Sequence, residues 1–384
     1  MKKFKIFGTL AESTRLVSSL VIVVFFASTL EPQIFVVMTL CISSANLVAS
    51  VSSLGIPIWI NLKFDQSNLL RARSAIFFST LVSLPLLVIF GNYTFLNDVN
   101  VDWSLLLISE FLLAGPIAFE NRVLLSEIKD RKYLAETLIQ TSGRSIFLIM
   151  IAFFGHSILF ISYFVFVLSI YLKNHIKMIH LLGVPAKLIF RTYADSLSVG
   201  SIALVANIFD NLPIICAGSL LKPVEAATTQ LVLRITSVSL IPTNALASVT
   251  FAEKAKSRNF DYIKSYLLFS ISSSLAIVLS IFLILKYLLF FENYPSLTNF
   301  LWYQIISVIV RSFLITLGNY LTFENRNHLR IRAFGVASSF FLSIIFLINL
   351  ELLPLSARSL LFGYVLSEIL VFFLIYFHAK RVKS

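Results

Sequence analysis

"KNHIKMIHLLGVPAKLIFRTYADS", residues 173–196, is the longest connection between apolar runs in this 384-residue chain, and its character decides the architecture. It is basic, with Lys173, Lys177, Lys187 and Arg191, and only partly apolar. On either side lie runs long enough to cross a bilayer, which takes about 20 residues per helix. Six precede it, near 8–30, 33–60, 75–97, 103–124, 137–155 and 157–173. Six follow, near 196–221, 226–250, 265–290, 299–323, 333–350 and 357–378. The chain therefore reads as an all-α integral membrane protein with about twelve transmembrane helices, divided six plus six. The expected lobes are residues 1–180 and 196–384, joined by a cytoplasmic linker at 181–195.

Composition agrees. The chain is 58% hydrophobic with 37 Phe, mean hydropathy +0.90 and only 13% charged residues, where a soluble domain carries about 25%. The net charge of +12 is read as loop charge that orients the helices, not as a nucleic-acid surface. With twelve spans and the N-terminus inside, Lys2, Lys3, Lys5, Lys63, Arg71, Arg73, Lys129, Arg131, Lys132, the linker and Lys254 to Lys264 fall on the cytoplasmic side. So do Arg326, Arg330, Arg332 and Lys380 to Lys383, whereas only Lys222 and Arg358 fall outside. Eleven spans would put the basic loops of the second half outside, against the positive-inside rule. Both termini are therefore expected in the cytoplasm.

The split between the fifth and sixth runs rests only on "GHS" (155–157), so a single longer helix is the alternative there. The start, "MKKFKIFGTLAESTRLVSSL", imitates a signal peptide, but Glu12 and Arg15 interrupt it and no A-x-A-like site follows. It is kept as the first span. "FENR" occurs at 119–122 and again at 323–326, closing the fourth helix of each half before a basic loop. An even number of spans per half gives both halves one orientation, as in transporters built from parallel repeats.

No catalytic constellation appears. The outer acidic residues Glu31, Asp98, Asp102, Glu225, Glu292 and Glu351 are scattered, and the five histidines sit near helix ends or in loops. There is no H-E-x-x-H, P-loop or dinucleotide fingerprint, so no cofactor or metal site is expected. Cys41 and Cys216 lie in apolar runs without a partner at ligand spacing.

What remains is charge inside the spans, which is costly in hydrocarbon and tends to mark substrate or ion pathways. Lys286 can snorkel from a helix end, and Glu120 with Arg122 sits at a cytoplasmic helix end; these read as structural. Glu110 and Glu368 read as halves of buried ion pairs or as proton carriers. Asp210 and Arg311 fall near mid-span, and Arg234 about one turn from the middle of "TTQLVLRITSVSLIPTNALASV" (228–249). Two readings stay open: internal pairing, such as Asp210 with Arg234, or a cationic lining for an anionic headgroup, to which a planar guanidinium is suited. Arg15, Arg144, Arg234 and Arg311 are the candidate substrate-binding residues. Glu12, Asp210 and Glu368 are the candidates for ion coupling. Pro and small residues in "SSANLVASVSSLGIP" (43–57), "LLAGPIAFEN" (112–121) and "ANIFDNLPIICAGS" (206–219) suit helices that bend and slide.

Six plus six helices, short outer loops, a basic linker and the segment "ANIFDNLPIICAGSLLKPVEAATTQLVLRITSVSLIPTNALAS" (206–248) resemble a Wzx-type polysaccharide flippase. That family lies within the multidrug/oligosaccharidyl-lipid/polysaccharide (MOP) exporter superfamily. In it an aspartate-bearing seventh helix precedes an eighth bearing a basic residue, places that Asp210 and Arg234 occupy; charge near the start of the first helix matches Glu12 and Arg15. The resemblance implies two six-helix lobes around a central cavity in the bacterial inner membrane, working by alternating access. The implied cargo is an undecaprenyl-pyrophosphate-linked oligosaccharide for O-antigen or capsule synthesis, with a polysaccharide polymerase and a chain-length regulator as partners. The alternatives are an ion-coupled multidrug antiporter of the same superfamily and an O-antigen polymerase or ligase. The latter needs a sizeable outer loop that this chain lacks.

Overall fold

The structure is a computed structural model. It describes residues 11, 14, 18, 21–22, 25–62, 65–95, 101–127, 130–175, 184–241, 243, 262–287, 297–323 and 326–380. Among them every regular element is helical, and ten helices are long and apolar enough to cross a membrane. Ten of the twelve expected spans are thus present. The first is helical at its described positions between Ala11 and Thr29, and the eighth is described only as a 17-residue helix, Pro223–Ser239.

In chain order the helices are α1 (Pro32–Ser53), α2 (Ile56–Leu62), α3 (Gln66–Phe95), α4 (Val101–Leu112), α5 (Ala118–Ser126), α6 (Asp130–Phe154) and α7 (Ser157–His175). They continue as α8 (Ala186–Leu220), α9 (Pro223–Ser239), α10 (Tyr262–Tyr287), α11 (Leu301–Phe323), α12 (Asn327–Asn349) and α13 (Ala357–Lys380). A π-helical turn, Leu113–Ile117, joins α4 to α5 within one span. Pro116 supplies no amide to the helical ladder, and Ala118 N–H reaches back to the Leu113 carbonyl, so the turn widens by one residue.

Two expectations about boundaries are resolved. "GHS" does separate two helices: α6 ends at Phe154 and Gly155 takes φ +60°, the left-handed conformation that closes a helix. The run 33–60, expected as one helix, is instead broken. Leu54 (φ 41°) and Gly55 (φ 78°) are both left-handed and separate α1 from α2. Tertiary contact imposes the break, since Gly55 lies against the backbone of Gly200 in α8 so closely that no side chain fits between them.

Packing divides the chain into two compact units, Val37–Ile215, and Met1–Val36 with Cys216–Ser384. This division follows contacts, not chain order. The part of α8 up to Ile215 belongs with the helices before the expected 181–195 linker: Tyr193 donates to the Ala75 carbonyl (2.7 Å) and Asn207 to Ser50 (2.8 Å).

In the Val37–Ile215 unit an apolar core forms around Ile56, Trp59, Ile76, Phe119 and Val123, with Ile189 and Tyr193 against it. In the other, α11 and α12 pack on α13 and α10 on α11, with Val278 and Val308 at the centre. Large apolar side chains such as Leu86, Ile89, Phe153, Ile158 and Phe346 face outward, at 60–68% exposure, the pattern for contact with lipid tails. Several buried hydroxyls are satisfied locally. Ser74, Thr80, Ser109, Thr228 and Thr236 each donate to the carbonyl four residues back, so small polar side chains sit inside apolar helices without orphaned donors.

Candidate functional site

In each unit a carboxylate within a span is buried against a guanidinium. In the first, Glu110 on α4 is 4% exposed. Arg144 on α6 reaches it with Nε, 3.0 and 3.1 Å from the two carboxylate oxygens, and with Nη2, 2.8 Å from Oε2. Tyr163 on α7, fully buried, donates to Oε1 at 2.7 Å. One carboxylate thus ties together three spans. A buried ion pair needs this degree of saturation, because unmatched desolvated charge is strongly destabilising.

The second unit repeats the chemistry with different side chains. Glu368 on α13 has no exposed surface; Ser307 on α11 donates to its Oε2 at 2.6 Å, and Arg311 bonds its Oε1. Arg311 also meets Tyr364, donating to the hydroxyl, with Cζ 5.3 Å from the ring centre. Both clusters join the fourth and sixth helices of their halves, but the carboxylate changes place. It stands on the fourth helix in the first half and on the sixth in the second.

Arg144 and Arg311 are therefore both engaged by carboxylates, and Glu368 is held by Arg311 and Ser307; binding substrate or an ion there would require those pairs to open. The tyrosines and Ser307 were not legible as site residues, since nothing in their own segments marks them out. Arg15 and Glu12 lie outside the described residues.

At the end of the span that carries the first "FENR", Glu120 accepts two bonds from Arg73, 3.0 and 2.8 Å, and Asn121 exchanges bonds with Gln140. Nearby on the fold, Lys173 holds Glu136 at 2.8 Å. In the second copy Glu324 and Asn325 lie outside the described residues, and Arg326 precedes α12.

Asp210 differs from the two glutamates. It lies mid-span on α8 and is exposed, three residues before Pro213, which withholds the amide that would otherwise bond the Phe209 carbonyl. Arg234 lies on α9, in the other unit. That helix is buried on nearly every face from Ala226 onward; its open strip carries half-buried Arg234 and exposed Ser237, one turn apart.

The first unit also holds a cavity of about 160 Å³. Three walls meet there: Ser50 and Ser53 at the end of α1 with Gly55 and Pro57 beyond it, the π-turn with Ala118 and Arg122, and Leu204 with Asn207 on α8. Arg122, read from the sequence as a helix-end charge, is exposed on this lining. Among the described residues no group of histidine, cysteine and carboxylate side chains is placed to hold a metal.

No family model and no curated protein matches the chain. Solved structures do. A multidrug resistance MATE family transporter of the MOP superfamily, in an outward-facing conformation, aligns at TM-score 0.58 and 14% identity over 99% of this chain and 94% of its own. The fold is that of the MOP superfamily transporters. A MOP superfamily transporter from Pyrococcus furiosus, described as having a binding pocket of reversed polarity, aligns at TM-score 0.57 with 14% identity over 99% and 94%. A eukaryotic MATE transporter aligns at TM-score 0.56 with 15% identity over 98% and 93%. The MOP fold expected from the resemblance is therefore present. These MOP neighbours are described as MATE or MOP transporters, and none of them as a polysaccharide flippase.

Proposed function

We propose that the protein is an ion-coupled exporter of the bacterial cytoplasmic membrane that works by alternating access, with both termini in the cytoplasm and no enzymatic step. The reading rests on Asp210. It is a carboxylate placed mid-span yet exposed, whereas Glu110 and Glu368 are buried and held by arginine. An exposed mid-span acid can exchange a cation or proton with whichever side of the membrane it is open to. The Pro213 irregularity beside it supplies a place for α8 to bend. The solved neighbours favour a multidrug antiporter as the specific form. Export of a cationic dye from proteoliposomes under an imposed proton or sodium gradient tests it. Gradient-driven export that fails in Asp210→Asn is expected; export indifferent to every gradient would remove the ion coupling.

A second reading is favoured by Arg234, a half-buried guanidinium on the open strip of the otherwise buried helix α9. A planar guanidinium there suits an anionic cargo such as an undecaprenyl-pyrophosphate-linked oligosaccharide, with a polysaccharide polymerase, a chain-length regulator and membrane lipids as partners. On this reading Arg234→Ala, present at normal level, abolishes surface polysaccharide and Arg234→Lys retains part of it. Surface polysaccharide unchanged in Arg234→Ala speaks for the antiporter.

A further inference from the structure

We propose that the cavity between α1, the π-turn with α5, and α8 binds one phosphate-sized oxyanion against Arg122. The inference does not depend on what the protein transports. Its lining sets the ligand's charge. Among the described residues Arg122 is the one ionisable side chain that lines it, and no carboxylate does. Its size sets the ligand's bulk: about 160 Å³ is below the roughly 300–1,000 Å³ of pockets that enclose drug-sized molecules.

The remaining polar groups on the wall can donate. Ser53 Oγ spends its proton on a long 3.4 Å contact with the Ser50 carbonyl, readily exchanged for a better acceptor. Asn207 gives one amide proton to Ser50 at 2.8 Å and has a second to offer. Ser50, which donates to the Asn46 carbonyl at 2.9 Å, holds Asn207 in that orientation. A guanidinium, a hydroxyl and an amide thus line one cavity from three walls, and oxyanions are bound most strongly where a guanidinium supplies charge-assisted bonds.

Backbone irregularity gathers at the same place. Leu54 is left-handed without being glycine, Gly55 follows it, and the π-turn forms the opposite wall. Such conformations carry a cost and persist where surrounding structure requires them, commonly at ligand sites. Gly115 and Ala118 put no long side chain on that wall.

The oxyanion has two possible sources, a soluble phosphate or the headgroup of a phospholipid, and one experiment separates them. Thermal stability of the purified full-length protein in maltoside micelles is followed against inorganic phosphate at constant ionic strength, and separately against added phosphatidic acid. Arg122→Gln, Arg122→Lys and Ala118→Leu are compared with wild type. The expected result is stabilisation of wild type by phosphate, with about tenfold weaker apparent affinity in Arg122→Gln, the loss of one charge-assisted contact. Partial retention is expected in Arg122→Lys, and none in Ala118→Leu, whose side chain occupies the space. Stabilisation by phosphatidic acid alone, with the same dependence on the variants, assigns the site to a lipid headgroup. Should Ala118→Leu fail to fold, Ser53→Ala takes its place, with weakened binding expected. The proposal is overturned if neither probe stabilises wild type, or if Arg122→Gln responds as wild type does. Because this is binding without transport, its failure leaves the export reading to its own test.

Discussion

Arg144 grips Glu110 through both carboxylate oxygens, 2.8 Å at the closest, bridging α4 and α6. Removing one member leaves the other charged and largely out of water. Glu110→Gln should destabilise the protein by about 3 kcal/mol, the lower end for a broken buried pair because the Arg144 side chain keeps 25% exposure. The double change Glu110→Gln with Arg144→Gln should recover much of that loss. Thermal unfolding of the two single variants and the double in detergent measures it, and equal stability in all three would show that the pair holds nothing together.

The touching backbones of Gly55 and Gly200 admit no β-carbon. A methyl on Gly55 would overlap the Gly200 Cα and also force an alanine into a left-handed conformation. Backbone cannot move aside as a side-chain tip can, so Gly55→Ala and Gly200→Ala should each cost about 1–3 kcal/mol or more. Both should lower the yield of folded protein on size exclusion, whereas Gly335→Ala, at a position with open space around the would-be β-carbon, should not.

Asp210→Asn and Glu368→Gln should fail in different ways. The exposed aspartate carries little of the packing, so its variant should reach the membrane at normal level and lose gradient-driven export. Glu368 is fully buried between Ser307 and Arg311, so its loss should first reduce abundance. Immunoblot level together with transport per molecule separates the two. A normal transport rate per molecule in Asp210→Asn would take that residue out of the mechanism.

Lys187 lies within the basic connection 173–196, in the first turn of α8. With that connection in the cytoplasm, a single cysteine at position 187 should resist an impermeant maleimide in intact cells and react after the membrane is breached. Ready labelling in intact cells would reverse the orientation.

The long apolar runs were legible because crossing hydrocarbon is a local demand: about 20 residues must each tolerate lipid or a packed neighbour. The break at "GHS" was legible because Gly155 and Ser157 are ordinary stop and start residues. The break at Leu54–Gly55 was not, because the reason for it, Gly200, lies 145 residues further along the chain. Glu110 and Glu368 could be picked out as buried acids, but not their partners, since several arginines lay within reach of a sequence argument. Arg122 was set aside as a helix-end charge on the same grounds as Glu120. Packing then placed Glu120 against Arg73 and left Arg122 on a cavity wall.

Sequence by itself determined the all-helical membrane class, the places where most spans lie and the kinds of charge they carry. These follow from composition over one helix length and from the energetic penalty of charge in lipid. Tertiary structure alone decided which charge meets which, where a helix breaks and where space is left open. Those outcomes depend on the faces that distant helices present to one another, and no window of neighbouring residues contains that information.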